Sequence, residues 1–433
     1  MPGSMIHQLR RVLHPGDRIA VGPGCGTPTS LLRAIAACSD PQDPVELWSG
    51  LTLGPFPVDA VVAGAIQYRT WHLTSETRAL VDDGVAAFHP LRASEVAKRL
   101  LERGIEVAVV RVSPPDRHGY VSLGTSVSFT RELVLGARLV LGEVDEEMPR
   151  TCGMSMIHRS IFDLLLPSED PTPIYHEREV GSEARRIAAH LLPLLPSEPA
   201  LQMGIGEVPE AVTSLLAEAG ARPTRIIGMA TDATIRLFEA GALSPQAVVP
   251  NPAVTAVELM GSGTLLEYVD GNAAVGVYPA SVVGRSRVLS ASSRFVSINS
   301  AIEVDLLGQA SAEWANGRQI SGIGGSIDFS EGAAGSEGGL RILALPATRG
   351  DRTRIVGRLL KGTPVSVTRN MVDFIVTEHG VADLRGASTR ERAERLIAIA
   401  DPAYQDQLLT SAITDGLLDK TNEADRPLTP IIH

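Results

Sequence analysis

Short apolar runs alternate with helical patterns from one end of this chain to the other, and that alternation constrains the fold most. "RIAVG" (18–22) precedes the helical pattern "TSLLRAIAACS" (29–39). "IEVAVVRVS" (105–113) and "ARLVLGEV" (137–144) read as further strands. "ALQMGIG" (200–206) runs into "VPEAVTSLLAEAG" (208–220), and "RIIGMATDATIRLFEAG" (225–241) is again a strand running into a helix. "RILALPAT" (341–348) and "DFIVTEHG" (373–380) follow later. Such a pattern predicts parallel or mixed sheets with helices on their faces, an α/β protein. A chain of 433 residues is too long for one core. The best break is "LLPLLPSEPA" (191–200), with three prolines. It gives halves 1–192 and 200–433, joined by a linker 193–199. Both halves open with a strand and a glycine turn, "AVGPGCGTPTSLL" and "LQMGIGEVPEAVTSLL", so we expect two related domains.

A net charge of −11 argues against general nucleic-acid binding. It leaves room for an anionic small molecule, whose phosphates backbone amides can hold. Three cysteines fit a reducing compartment without a disulfide framework, and the chain reads as cytoplasmic. No apolar run approaches the ~20 residues of a membrane span, so no membrane partner is expected. The cysteines and histidines form no paired cluster with metal-ligand spacing, and no metal is expected.

Four stretches carry chemistry: "VSPPDRHGYVSLG" (112–124), "GEVDEEMPRTCGMSMIH" (142–158), "LQMGIGEVPEAV" (201–212), and the run from "FVSINSAIEVDLLGQASAE" (295–313) through "QISGIGGSIDF" (319–329) to "VTEHGVADLRG" (376–386). In this order they resemble the acetyl-CoA hydrolase/transferase family, class I CoA-transferases that include 4-hydroxybutyrate CoA-transferase-like enzymes. The resemblance spans about residues 10–410. It implies two open α/β domains of the CoA-transferase type, an active site in the cleft between them, and a homodimer. It implies an acyl-CoA, or an acyl group on a carrier protein, as substrate and no permanently bound cofactor. In that family a glutamate attacks the thioester carbonyl, and a glutamyl-CoA thioester follows. Gly322, Gly324 and Gly325 match the glycine loop that lets amides approach the thioester and its oxyanion. Asp145, Met148, Pro149, Arg150, Gly204, Gly206, Met229, Asp232 and Ser326 fall in motifs expected to line the cleft.

The chain departs from the family where chemistry would be expected. Aligning "MATDATIRLFEAG" without gaps puts Gly228 at the position of the catalytic glutamate, and no Glu lies between Glu218 and Glu239. Ser326 replaces a Gln, Asp145 an Asn and His379 a Tyr. The expected activity is therefore acyl-thioester processing by direct acyl transfer or hydrolysis, without the usual glutamyl-CoA intermediate. One alternative is CoA exchange between carboxylic acids with a relocated acid. Glu207 is the candidate if its strand pairs with the one holding Gly228; otherwise it serves a helix dipole. His379 is a candidate base. A non-catalytic acyl-CoA-binding homologue is the third alternative. Asp232 is expected to cap the following helix, and Cys25 to be a buried thiol.

Overall fold

The computed structural model describes residues 2–244 and 252–419. Two sheets dominate. The first has seven strands in the order 164–167, 139–144, 107–112, 18–21, 45–49, 66–70, 87–88. All its pairings are parallel. The central strand Val107–Val112 is buried at every position, as expected of a strand covered on both faces.

The second sheet has nine strands in the order 380–383, 374–377, 340–344, 295–300, 200–203, 225–230, 254–259, 275–277, 152–153. Only the terminal hairpin of Phe374–Thr377 with Gly380–Asp383 is antiparallel. The edge pair Cys152–Gly153 comes from the first half of the chain, so the halves share a sheet. The fold is the α/β architecture expected from the alternation.

One core crosses between the halves. It joins Trp71, Val112 and Phe129 to Leu201, Val254 and Val296. Helix Ser182–Leu191, which precedes the expected linker, packs against helix Glu207–Glu218 of the second half. Leu192–Leu194 adds a 3₁₀ turn before the strand Ala200–Met203 begins. Among the described residues no helix is long and apolar enough to cross a membrane.

The strand Arg225–Ala230 continues through Gly228, its ladder to Val254–Leu259 running on to Ala230. Helix Asp232–Glu239 then starts behind Thr231, whose side chain accepts from the Ala233 amide and completes a capping box with Thr234. Asp232 is therefore not the cap. Its carboxylate accepts from the amide and hydroxyl of Ser262, both at 2.9 Å, and so fixes the next helix.

Candidate active site

A cavity of about 260 Å³ lies between the halves. Trp71, Leu91, Phe129, Met203, Met229 and Phe329 give it an apolar wall. The ends of four second-half strands reach it, as do the turn Gly322–Gly325 and the residue after it, Ser326. This is the crevice at strand ends where open α/β sheets bind ligands.

The glycine turn sits where it does because side chains are missing. A Cβ on Gly322 would run into the Trp71 carbonyl oxygen of the first half, so the turn can dock only as glycine. Gly324 takes φ +55, and its carbonyl accepts from the Ala93 amide at 2.9 Å. Helix Ser326–Gly335 starts at the cavity wall, with its N-terminal end, the positive end of its dipole, at the cavity. Ser326 is 8% exposed and its Oγ has no hydrogen-bond partner among the described residues. Such a hydroxyl is costly unless a ligand satisfies it.

The cavity also holds an acid that the sequence reading missed. Glu258 stands near the end of strand Val254–Leu259. Gly228 pairs with Ala256, but Met229 pairs with Glu258, so Val257 is an extra residue. The first half grips this irregularity. The Ser128 amide donates to the Val257 carbonyl at 3.0 Å, and the Leu259 amide donates to the Thr125 carbonyl at 2.9 Å. The Glu258 carboxylate lies against the turn 22–26; a Cβ on Gly24 would be 3.3 Å from its Oε2. Burial pushes this carboxyl up to about 7, and a hydrogen bond from the Ser128 side chain offsets only part of that. His72 lines the same cavity, and enclosure pushes its imidazole down to about 4, leaving it neutral.

Gly228 itself is buried at φ +108, a region that L side chains rarely adopt. A Cβ there would approach the Met203 carbonyl at 3.1 Å and the Phe329 ring at 3.4 Å. A side chain at 228 is therefore strained by its backbone and needs the Met203 carbonyl to give way by a few tenths of an ångström.

The other expected site residues divide. Gly204, Met229 and Ser326 line the cavity with Gly322, Gly324 and Gly325. Glu207 does not. Its strand pairs with that of Gly228, with Met203 opposite, but Glu207 is exposed as the first residue of its helix. Gly206 caps that helix at φ +117. His379 sits at the far edge hairpin, half-buried, its Nε2 3.7 Å from carboxylates of Glu378 and Asp401. Asp145 is buried and paired with Arg111 at 2.7 Å. Met148 and Pro149 are buried beside it, Met148 against Gly124. The Arg150 guanidinium donates to the Pro114 and Tyr120 carbonyls. The Cys25 thiol is buried and pushed up to about 11, so it is no nucleophile near neutral pH.

Two family models match this chain. The acetyl-CoA hydrolase/transferase N-terminal domain covers residues 5–174, and the C-terminal domain covers residues 261–412. The chain belongs to the acetyl-CoA hydrolase/transferase family. It is 36% identical to 4-hydroxybutyrate coenzyme A transferase of Clostridium kluyveri over 91% of this chain and 93% of that one. It is 30% identical to butyryl-CoA:acetate CoA-transferase of Anaerostipes caccae, over 95% and 96%. The crystal structure of RipA from Yersinia pestis superposes with a TM-score of 0.87 at 27% identity, covering 96% of this chain and 100% of that one. Family membership and the CoA-transferase fold agree with what the four motifs implied.

Proposed function

We propose that this protein is an acyl-CoA enzyme that moves coenzyme A between carboxylic acids, with the thioester carbonyl held in the cavity between its halves. The observation that carries this reading is the convergence of the Gly322–Gly325 turn, the start of helix Ser326–Gly335 and the carboxylate of Glu258 on one apolar cavity. Cleaving a thioester puts negative charge on the carbonyl oxygen. Backbone amides fixed before the reaction, in a cavity that excludes water, stabilise that charge; each such donor is commonly worth ~3 kcal/mol. The apolar wall suits a short aliphatic acyl chain, with the rest of the CoA leaving through the mouth. The relatives' names support CoA and carboxylic acids as the substrate pair.

An acid in the cavity favours exchange over the non-catalytic alternative, since a binding protein gains nothing from a carboxylate held half-neutral among apolar side chains. The test is to incubate the protein with acetyl-CoA, butyryl-CoA and 4-hydroxybutyryl-CoA, each with and without a panel of carboxylates. Formation of the new acyl-CoA in the presence of an acceptor acid supports the reading. Free thiol released equally fast without any acceptor would make the protein a hydrolase. Binding without turnover would make it a non-catalytic homologue.

A further inference from the structure

We propose that Glu258 is the covalent nucleophile of this cavity, aimed into it by the extra residue Val257. The inference rests on the reading that the cavity takes acyl-CoA thioesters.

Three observations carry it. First, residue 228 has no side chain and is strained for one. A side chain there would face positive φ, the Met203 carbonyl and the Phe329 ring. Second, the adjacent strand supplies a carboxylate at the same level of the sheet. Met229, the residue after Gly228, is the direct partner of Glu258. Neighbouring strands lie ~4.8 Å apart, so the move is one strand spacing. Bulges are rare in parallel pairs and re-aim side chains near active sites. Here both Val257 and Glu258 line the cavity.

Third, Glu258 faces the cavity without a neutralising cation. Glu143 and Asp145 are each paired with Arg111, and Asp328 with Arg92. No ion pair among the described residues joins Glu258; the Ser128 hydroxyl is its hydrogen-bond partner. Glu210 and Asp305 are buried without an ion pair among the described residues too, but neither lines the cavity. An unpaired acid facing a cavity is free to react.

The chemistry balances without another reactant. A Glu258 carboxylate oxygen attacks the thioester carbonyl, the C–S bond breaks, and CoA leaves as thiolate, giving a mixed anhydride. The thiolate attacks the glutamyl carbonyl, the anhydride C–O bond breaks, and the acyl group leaves as a carboxylate. Glu258 then carries CoA as a thioester. An acceptor carboxylate reverses the two steps and departs as the new acyl-CoA.

The experiment is to incubate the full chain with butyryl-CoA, reduce with borohydride, digest and map the modified peptide. A glutamyl-CoA thioester becomes an alcohol, whereas a free carboxylate does not react. The expected result is reduction at Glu258 alone and only when butyryl-CoA is present. The nearly isosteric Glu258→Gln should show none and should lose transfer by roughly 10⁴-fold or more. Reduction at another residue, or transfer surviving in Glu258→Gln, overturns the inference. So does an inactive Glu258→Gln alongside a turning-over wild type that reduction never marks, because Glu258 would then be a base. If Glu258→Gln fails to fold, the wild-type map decides alone. No turnover by the wild type with any acyl-CoA removes the reading of the site and this inference together; turnover persisting in Glu258→Gln removes the inference only.

Discussion

At Glu258 the fold holds a carboxyl in a place that favours its neutral form. With the carboxyl raised from 4.5 to about 7, the folded state binds the extra proton between those values. Its contribution to stability is therefore fully present below pH ~4.5 and is lost as pH rises through ~7. The loss is on the order of a few kcal/mol. Thermal melts should show this decline flattened in Glu258→Gln. Activity has the opposite sign, because the ionised form reacts, so kcat should rise through pH ~7 and level off. Ser326 makes a second residue-scale case. Ser326→Ala removes a buried hydroxyl without a partner, so Tm should hold or rise. If the hydroxyl serves the bound thioester, kcat/KM should fall by roughly tenfold. How far these residues were legible differs. Ser326 is marked by its glycine motif. Glu258 is a lone charge in the apolar run "VTAVELM", a signal that a search confined to Glu218–Glu239 passes over.

The pair of strands Arg225–Ala230 and Val254–Leu259 explains why sequence proximity misled. In a parallel sheet the neighbour of Gly228 lies 28 positions further along the chain, at Ala256. Single-sequence pattern gives the strand at 225–230 but not its partner at 254–259, nor the extra residue that turns Glu258 toward the cavity, because a bulge in a parallel pair leaves no turn residue behind. Strand, glycine turn and helix were each readable; the pairing of the Glu207 strand with that of Gly228 was only a condition there, and the structure shows it. What failed to transfer was reach, since Glu207 lies beyond its glycine turn on an exposed helix end. An acid placed at 228 should not take over the role of Glu258. Gly228→Glu should destabilise by about 1–3 kcal/mol through positive φ and crowding, read as a fall in Tm, and should gain no CoA exchange.

Across the whole molecule, the cavity exists only because the halves are locked together. Arg92 of the first half pairs with Asp328 and Glu331 of the second, and the Ser94 hydroxyl donates to Asp328 at 2.6 Å. Burial raises Asp328, and the Arg92 charge and its bonds oppose that shift. Arg92→Met should leave a buried carboxylate unpaired and cost roughly 3 kcal/mol or more, seen as a lower denaturation midpoint. The α/β plan with parallel sheets was readable in the alternation of strands and helices. The shared sheet was not, because the strand Cys152–Gly153 is too short to carry a pattern. The account as a whole turns on which acid does the work. The rate of CoA transfer from butyryl-CoA to acetate, measured side by side for the wild type, Glu258→Gln and Glu207→Gln, answers that directly. The account predicts that Glu258→Gln loses roughly 10⁴-fold or more while Glu207→Gln keeps the wild-type rate. An active Glu258→Gln, or an inactive but folded Glu207→Gln, would contradict it.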